Sequence, residues 1–176
     1  MVLEFGEYMI RELVAADATA IARHADNPGI ARVLRDLFPS PYSLPDAEEF
    51  IAKFSTAEPR TVFAIATKEE AVGVIGFFPG EDVYRFSAEI GYWIGQDHWG
   101  RDVMTRAVEI FTEYVFNNFK INRLYAGVFS SNPASGRVLE KAGYTCEGTH
   151  RCHVYKNGEI LDEHLYGRVR PGLVDK

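Results

Sequence analysis

The chain predicts an α/β fold: one domain with a twisted mixed, mostly antiparallel sheet of about six or seven strands and helices on both faces. Three observations predict it. Apolar segments of strand length alternate with two helical stretches, Val103–Phe119 and the one opened by Asn132-Pro133. Polar turns at Lys68-Glu69-Glu70 and Asn157-Gly158 join strand-like neighbours as antiparallel hairpins. Finally, 176 residues with 47% apolar and 13% aromatic side chains suffice for one core of ordinary size.

In chain order, Tyr8–Leu13 alternates as a first strand. Ala15–His24 reads as a helix capped near Asp17 and stopped before Asn27-Pro28, and a second helical stretch covers Ile30–Leu37. Phe38–Pro45 contains three prolines and two aromatics, so a stiff, structured loop is expected. Asp46 is expected to cap the helix that follows, AEEFIAKFST. Strands are predicted at Thr61–Thr67, Ala71–Phe77 and Phe86–Ile94.

In Val103–Phe119, apolar side chains recur at Val103, Ala107, Ile110, Phe111, Tyr114 and Val115, a broad helical face to bury. Arg123–Phe129 is apolar on both alternating faces, as for a strand covered on both sides. Asn132, Pro133 and Gly143 mark the two ends of the next helix. Thr145–Tyr155 and Glu159–Val169 form the closing hairpin. No repeat, low-complexity tract or linker divides the chain, so a single domain over residues 1–176 is expected, with its core at about 8–169.

Composition excludes several classes of function. A net charge of −6 without a dense Lys/Arg cluster argues against nucleic-acid binding. No apolar run long enough to span a membrane and no signal peptide is visible, which makes a cytoplasmic location the expectation. Cys146 and Cys152 on one regular strand would lie about 20 Å apart, too far to bridge. His150 and His153, three apart in such a strand, are expected on opposite faces, so no chelating pair and no metal site is predicted. His98 could approach a phosphate, but solvent exposure is the expectation.

The most informative stretch runs from Ala88 to Tyr144. An apolar strand ends in a turn containing Gly95 and Gly100, and a long helix begins directly afterwards. Such a helix start offers unpaired N–H groups and a positive dipole end to an anion such as a pyrophosphate. Glu89 lies in an otherwise apolar strand, where a carboxylate is costly to bury unless paired or used. A salt bridge to an arginine and a role as general base are both open readings.

Three blocks in this stretch, EIGYWIG at Glu89–Gly95, WGRDVMTRAV at Trp99–Val108 and NPASGRVLEKAGY at Asn132–Tyr144, resemble the GCN5-related N-acetyltransferase (GNAT) superfamily, in particular its RimJ/RimL-like ribosomal-protein branch. The resemblance implies acetyl-CoA as cofactor and central strands splayed at its site. It also implies transfer of an acetyl group to a primary amine, of a peptide N-terminus or a small molecule, without a covalent enzyme intermediate. Backbone groups of Trp93, Ile94 and Gly95 would hold pantetheine. The turn Trp99, Gly100, Arg101, Asp102, Val103, Met104 and Thr105 would hold the pyrophosphate. Asn132 and Ser135 would also contact the cofactor, Glu89 would act as general base, and Ser135 would stabilise the departing thiolate. Arg35, Asp36, Tyr42 and Tyr84 fall in segments that cover the acceptor side in proteins of this kind. A homodimer is compatible with the resemblance.

Two departures from the family pattern motivate an alternative, a catalytically impaired CoA-binding or sensing module. Asp102 stands where the family has a glycine, either capping the helix or pointing to solvent, and Leu139 stands where many members carry a tyrosine general acid. Tyr144 is read as an aromatic packing residue beyond the helix end.

Overall fold

A computed structural model describes residues Met1–Leu173. They fall into two compact units, Met1–Gly76 with Tyr92–Ala107, and Phe77–Gly91 with the residues from Val108 onward. The strands are β1 (Val2–Phe5), β2 (Tyr8–Glu12), β3 (Val62–Ala66), β4 (Ala71–Pro79), β5 (Ser87–Ile94), β6 (Arg123–Phe129), β7 (Thr145–Lys156) and β8 (Glu159–Val169). The helices are α1 (Ala18–Ala25), α2 (Pro28–Ala31), α3 (Leu44–Ser55), α4 (Val103–Asn118) and α5 (Pro133–Lys141). The strand order is β1-β2-β3-β4-β5-β6-β8-β7, eight strands where six or seven were expected. The addition is β1, which pairs antiparallel with β2 across a turn at Gly6. Its four residues, of which two are exposed and Phe5 is buried, are too few to show a period.

In the first unit β2 pairs with β3 and β3 with β4, all antiparallel. α1 packs against α3, and Ile21, Ala25, Ala47, Ile51, Val62 and Val74 share one buried cluster. Three expectations here need correction. The first helical stretch begins as a 3₁₀ turn at Ala15–Asp17, and Asp17 does not cap α1 with its side chain. That carboxylate accepts from Val14 N–H at 2.9 Å and takes a bidentate pair from Arg11 at 2.7 and 2.8 Å. The helix expected at Ile30–Leu37 stops at Ala31, because beyond it no apolar face is buried and Leu37 is 93% exposed. The cap of α3 is Ser43, whose hydroxyl accepts from Asp46 N–H while the Asp46 carboxylate accepts from Ser43 N–H, a reciprocal capping box.

In the second unit β6 pairs antiparallel with β8, and β8 with β7. The parallel pairing of β5 with β6 covers Ser87↔Arg123, Ala88↔Leu124 and Glu89↔Tyr125. Phe77 packs against Phe111 and Phe119 with ring centroids 6.1 and 4.7 Å apart, and Leu124, Val115 and Leu139 are fully buried. α5 is delimited as its sequence predicts: Asn132 Oδ1 accepts from Ser135 N–H, Pro133 opens the first turn, and Gly143 follows with φ +83°. Asn157 and Gly158, both with positive φ, make the turn of the β7–β8 hairpin.

Candidate active site

β5 carries the first group of predicted site residues. In the second unit Phe86 C=O accepts from Asn122 N–H at 2.7 Å, while Ser87 C=O accepts from Gly80 N–H at 2.8 Å. Backbone groups of even-numbered residues therefore point toward β6 and those of odd-numbered residues toward β4. Glu89 is half-buried, and alternation places its side chain on the same face of the strand as Gly91 and Trp93. A Cβ at Gly91 would stand 3.5 Å from Phe78 Cε2.

At the other end of the strand, in the first unit, Gly95 N–H donates to Val72 C=O at 2.8 Å. The same alternation turns the backbone groups of Tyr92 and Ile94 away from β4. The indole Nε1–H of Trp99 donates to Ile94 C=O at 2.8 Å and ties the turn to the strand end. A Cβ added at Gly95 would lie 2.4 Å from His24 Nδ1, so this glycine permits close packing of α1 on the turn. Gly29 likewise lies under the Trp99 ring, and Asn27 Nδ2–H donates to Gln96 Oε1 at 2.7 Å. Trp93 packs edge-on against Phe38 at 5.9 Å, and Phe38 against the buried Tyr42 at 4.9 Å, so the proline-rich loop is ordered by its aromatics. Burial, reinforced by Asp46, pushes the Tyr42 phenol up to about 12.

From Trp99 to Thr105 the structure separates two kinds of residue. Gly100, Arg101 and Asp102 are exposed, whereas the side chains of Val103, Met104 and Thr105 are buried. The first α-helical bond of α4 runs from Arg106 N–H to Asp102 C=O at 3.1 Å. The N–H groups of Val103, Met104 and Thr105 therefore have no intrahelical acceptor, the arrangement that suits an anion. Gly100 has φ +72° and Asp102 φ +55°. Position 102 needs the left-handed backbone that glycine adopts freely and that aspartate tolerates better than most residues. An ordinary N-cap residue is extended, so Asp102 occupies the cap position in a different backbone state.

His98 is not in open solvent as expected. It lies 3.0 Å from Tyr8 Oη and edge-on to the rings of Tyr8 and His24. Burial, followed by the charges of His24 and Arg101, holds its imidazole below the ordinary value.

In the second unit Asn132 acts as the N-cap of α5, and Ser135 is half-buried in its first turn. Leu139 is fully buried, so that position supplies no proton. Tyr144 is 3% exposed, hydrogen-bonded to Thr112, and pushed up to about 12 by burial. It is a packing residue, in agreement with its sequence context. Among the acceptor-side candidates Tyr84 is 71% exposed, Arg35 and Asp36 are exposed, and Tyr42 is in the core. Both cysteines are free and exposed.

One expectation fails in a way no spacing rule shows. His150 and His153 stand on the same side of β7, ring centroids 5.0 Å apart, because the strand bulges between them.

A strand, a tight turn and a helix start whose first amides have no intrahelical acceptor follow one another here, the order expected of an acyl-CoA site. Residues 8–145 match the family described as "Acetyltransferase (GNAT) domain", and the chain belongs to that family. Membership makes it an acyltransferase of the N-acetyltransferase type that uses acetyl-CoA. The chain is 30% identical over 175 residues, 97% of each protein, to the uncharacterized N-acetyltransferase YoaA of Bacillus subtilis. It is 28% identical over 108 residues to the ribosomal-protein-serine acetyltransferase of Escherichia coli, covering 61% of this chain and 60% of that one. In fold it is similar to RimL, a ribosomal L7/L12 alpha-N-protein acetyltransferase solved with coenzyme A, with TM-score 0.85 at 20% identity over 96% of this chain and 98% of the other. Among the described residues no helix is long and apolar enough to cross a membrane.

Proposed function

We propose that this enzyme transfers an acetyl group from acetyl-CoA directly to the α-amino group of a peptide or protein N-terminus. The helix start at Val103–Thr105 carries the reading: three amides without intrahelical acceptors follow a turn shaped by two left-handed residues. Those amides bind the pyrophosphate, and Arg101 adds a positive charge at the rim. The Tyr92 backbone and the Ile94 N–H, turned away from β4, are the partners for pantetheine amides, since Trp99 already holds the Ile94 carbonyl. Gly95 N–H is already held by Val72. The whole chain acts as one catalytic domain, a reading supported by the relative aligned along 97% of both proteins.

In the reaction the amine nitrogen attacks the thioester carbonyl carbon, the C–N bond forms, and the C–S bond breaks. Glu89 accepts the proton released by the amine, directly or through a water. The CoA thiolate leaves with a hydrogen bond from Ser135 and takes its proton from solvent. The gain comes from positioning and from fixed dipoles at the helix start. An α-amine with pKa near 8 is partly neutral at neutral pH, whereas a lysine amine near 10.4 needs about 4 kcal/mol to deprotonate, so a half-buried carboxylate suits the α-amine. The ribosomal-protein acetyltransferase among the relatives supports the same acceptor class. Family membership weighs against a module that binds CoA without turnover.

The test is calorimetric titration with acetyl-CoA, followed by thiol release in the presence of peptides with varied N-termini and of small amines. Micromolar binding and peptide-dependent release that falls sharply in Glu89→Gln support the proposal. Binding with release only from small amines would overturn the acceptor, and an unchanged rate-versus-pH profile in Glu89→Gln would overturn the base.

A further inference from the structure

Past a first register shift at Glu147, the hairpin β7–β8 pairs regularly from Gly148↔Leu165 to His150↔Glu163 and resumes at Val154↔Leu161. Between these pairs β7 carries Arg151, Cys152 and His153 against Asp162 alone, a bulge of two extra residues. The bulge is pinned rather than loose: Cys152 sits at φ +52°, and its N–H donates to Asp162 Oδ1 at 2.8 Å. In a regular strand residues three apart face opposite ways. The left-handed residue between them reverses that, and both imidazoles end beside Glu163.

The resulting geometry is convergent. His150 Nδ1 lies 3.5 Å and His153 Nε2 3.8 Å from the same atom, Glu163 Oε2, and the three ligand atoms are all within 4.8 Å of one another. Both distances exceed those of good hydrogen bonds. They are close to the edge of about 3.4 Å between ligands of a tetrahedral ion bound at about 2.1 Å. The carboxylate is fixed from below: a Cβ on Gly127 of β6 would lie 2.4 Å from Glu163 Oε1, so this glycine gives the side chain its place. Glu163 is 17% exposed while the imidazoles are about half exposed, leaving their nitrogens open to an arriving ion.

We propose that His150, His153 and Glu163 bind a first-row divalent transition ion of the zinc, cobalt or nickel kind. Two imidazoles and one carboxylate match the preference of these ions, and three protein ligands leave a coordination position for water. The ion clamps the bulge, joining β7 to β8 where the ladder is broken. The proposal stands apart from the acetyl-transfer reading and does not depend on it.

The experiment is titration of the tag-free full-length protein with Zn²⁺ by calorimetry, with His150→Ala, His153→Ala, Glu163→Gln and Cys152→Ser in parallel. One equivalent of Zn²⁺ is expected in the wild type and in Cys152→Ser. Affinity is expected to fall roughly tenfold or more in each of the other three variants. The imidazole ring protons of His150 and His153 in the wild-type NMR spectrum should shift together on titration, a readout independent of any variant. With Co²⁺ the visible spectrum should lack a thiolate charge-transfer band. Absence of binding, binding that survives loss of both histidines, or loss of binding in Cys152→Ser would each overturn the site.

Discussion

The phenolic oxygen of Tyr144 lies 2.7 Å from Thr112 Oγ1, with both residues buried, so the residue that follows α5 is tied to the middle of α4. In Thr112→Val the Tyr144 hydroxyl loses its partner in a buried place. Urea denaturation should show a loss of about 1–2 kcal/mol. Tyr144→Phe orphans a hydroxyl that can rotate and should cost less, and the double variant should cost less than the sum. Because Tyr144 serves packing, Tyr144→Phe should leave the pH profile of acetyl transfer unchanged in shape.

Asp102 combines a left-handed backbone with a charge at the helix start. Asp102→Gly should bind acetyl-CoA more tightly in calorimetry without loss of melting temperature. A β-branched residue at this place should cost about 1–2 kcal/mol, which Asp102→Val measures. Asp102→Asn keeps the backbone preference and removes the charge. An affinity gain in Asp102→Asn equal to that in Asp102→Gly would assign the effect to electrostatics alone.

The pair between Arg11 and the buried Asp17 carboxylate is bidentate and also satisfies Val14 N–H. The hydrogen bond to Asp17 raises the Arg11 guanidinium further above its ordinary value. Asp17→Ala strands a half-buried cation and an amide, and a destabilisation of about 2–4 kcal/mol is expected by chemical denaturation.

Two surface carboxylates set an acid limit. The hydrogen bond from Arg23 holds Glu70 below its ordinary value of 4.5, with a smaller contribution from His24. The hydrogen bond from Arg123 does the same for Glu147. A depressed folded-state value means that the folded form gives up the proton more readily than the unfolded chain. The stabilisation is therefore complete above about pH 4.5 and is lost as pH falls through the depressed values. Both groups are about one-third exposed and screened by solvent, so the effect is modest. Melting curves between pH 7 and pH 3 should fall less steeply for Glu70→Gln and Glu147→Gln than for the wild type.

Much of the fold is legible in the chain because its signals are local. The period of α4, the Asn132-Pro133 and Gly143 marks of α5 and the Asn157-Gly158 turn all act within a few residues. The errors are equally physical. β1 is too short to show a period, and the helix expected after Ile30 lacks an apolar face. Asp46 alone looks like a cap in the sequence, but it is the third-residue half of a box whose cap is Ser43.

The candidate site divides along the same line. The amino-acid sequence by itself determined the family and the order of strand, turn and helix that presents Val103–Thr105, since glycines, apolar periods and capping residues act through the nearby backbone. Only the tertiary structure decided that Gly95 N–H is held by Val72, that Trp99 takes the Ile94 carbonyl and that His98 is packed between Tyr8 and His24. It also decided that a bulge pinned by Asp162 gathers His150, His153 and Glu163. Apart from the short-range Trp99–Ile94 bond, each of these joins residues distant in the chain or turns on one backbone torsion, and neither kind of contact leaves a period or a spacing in the sequence.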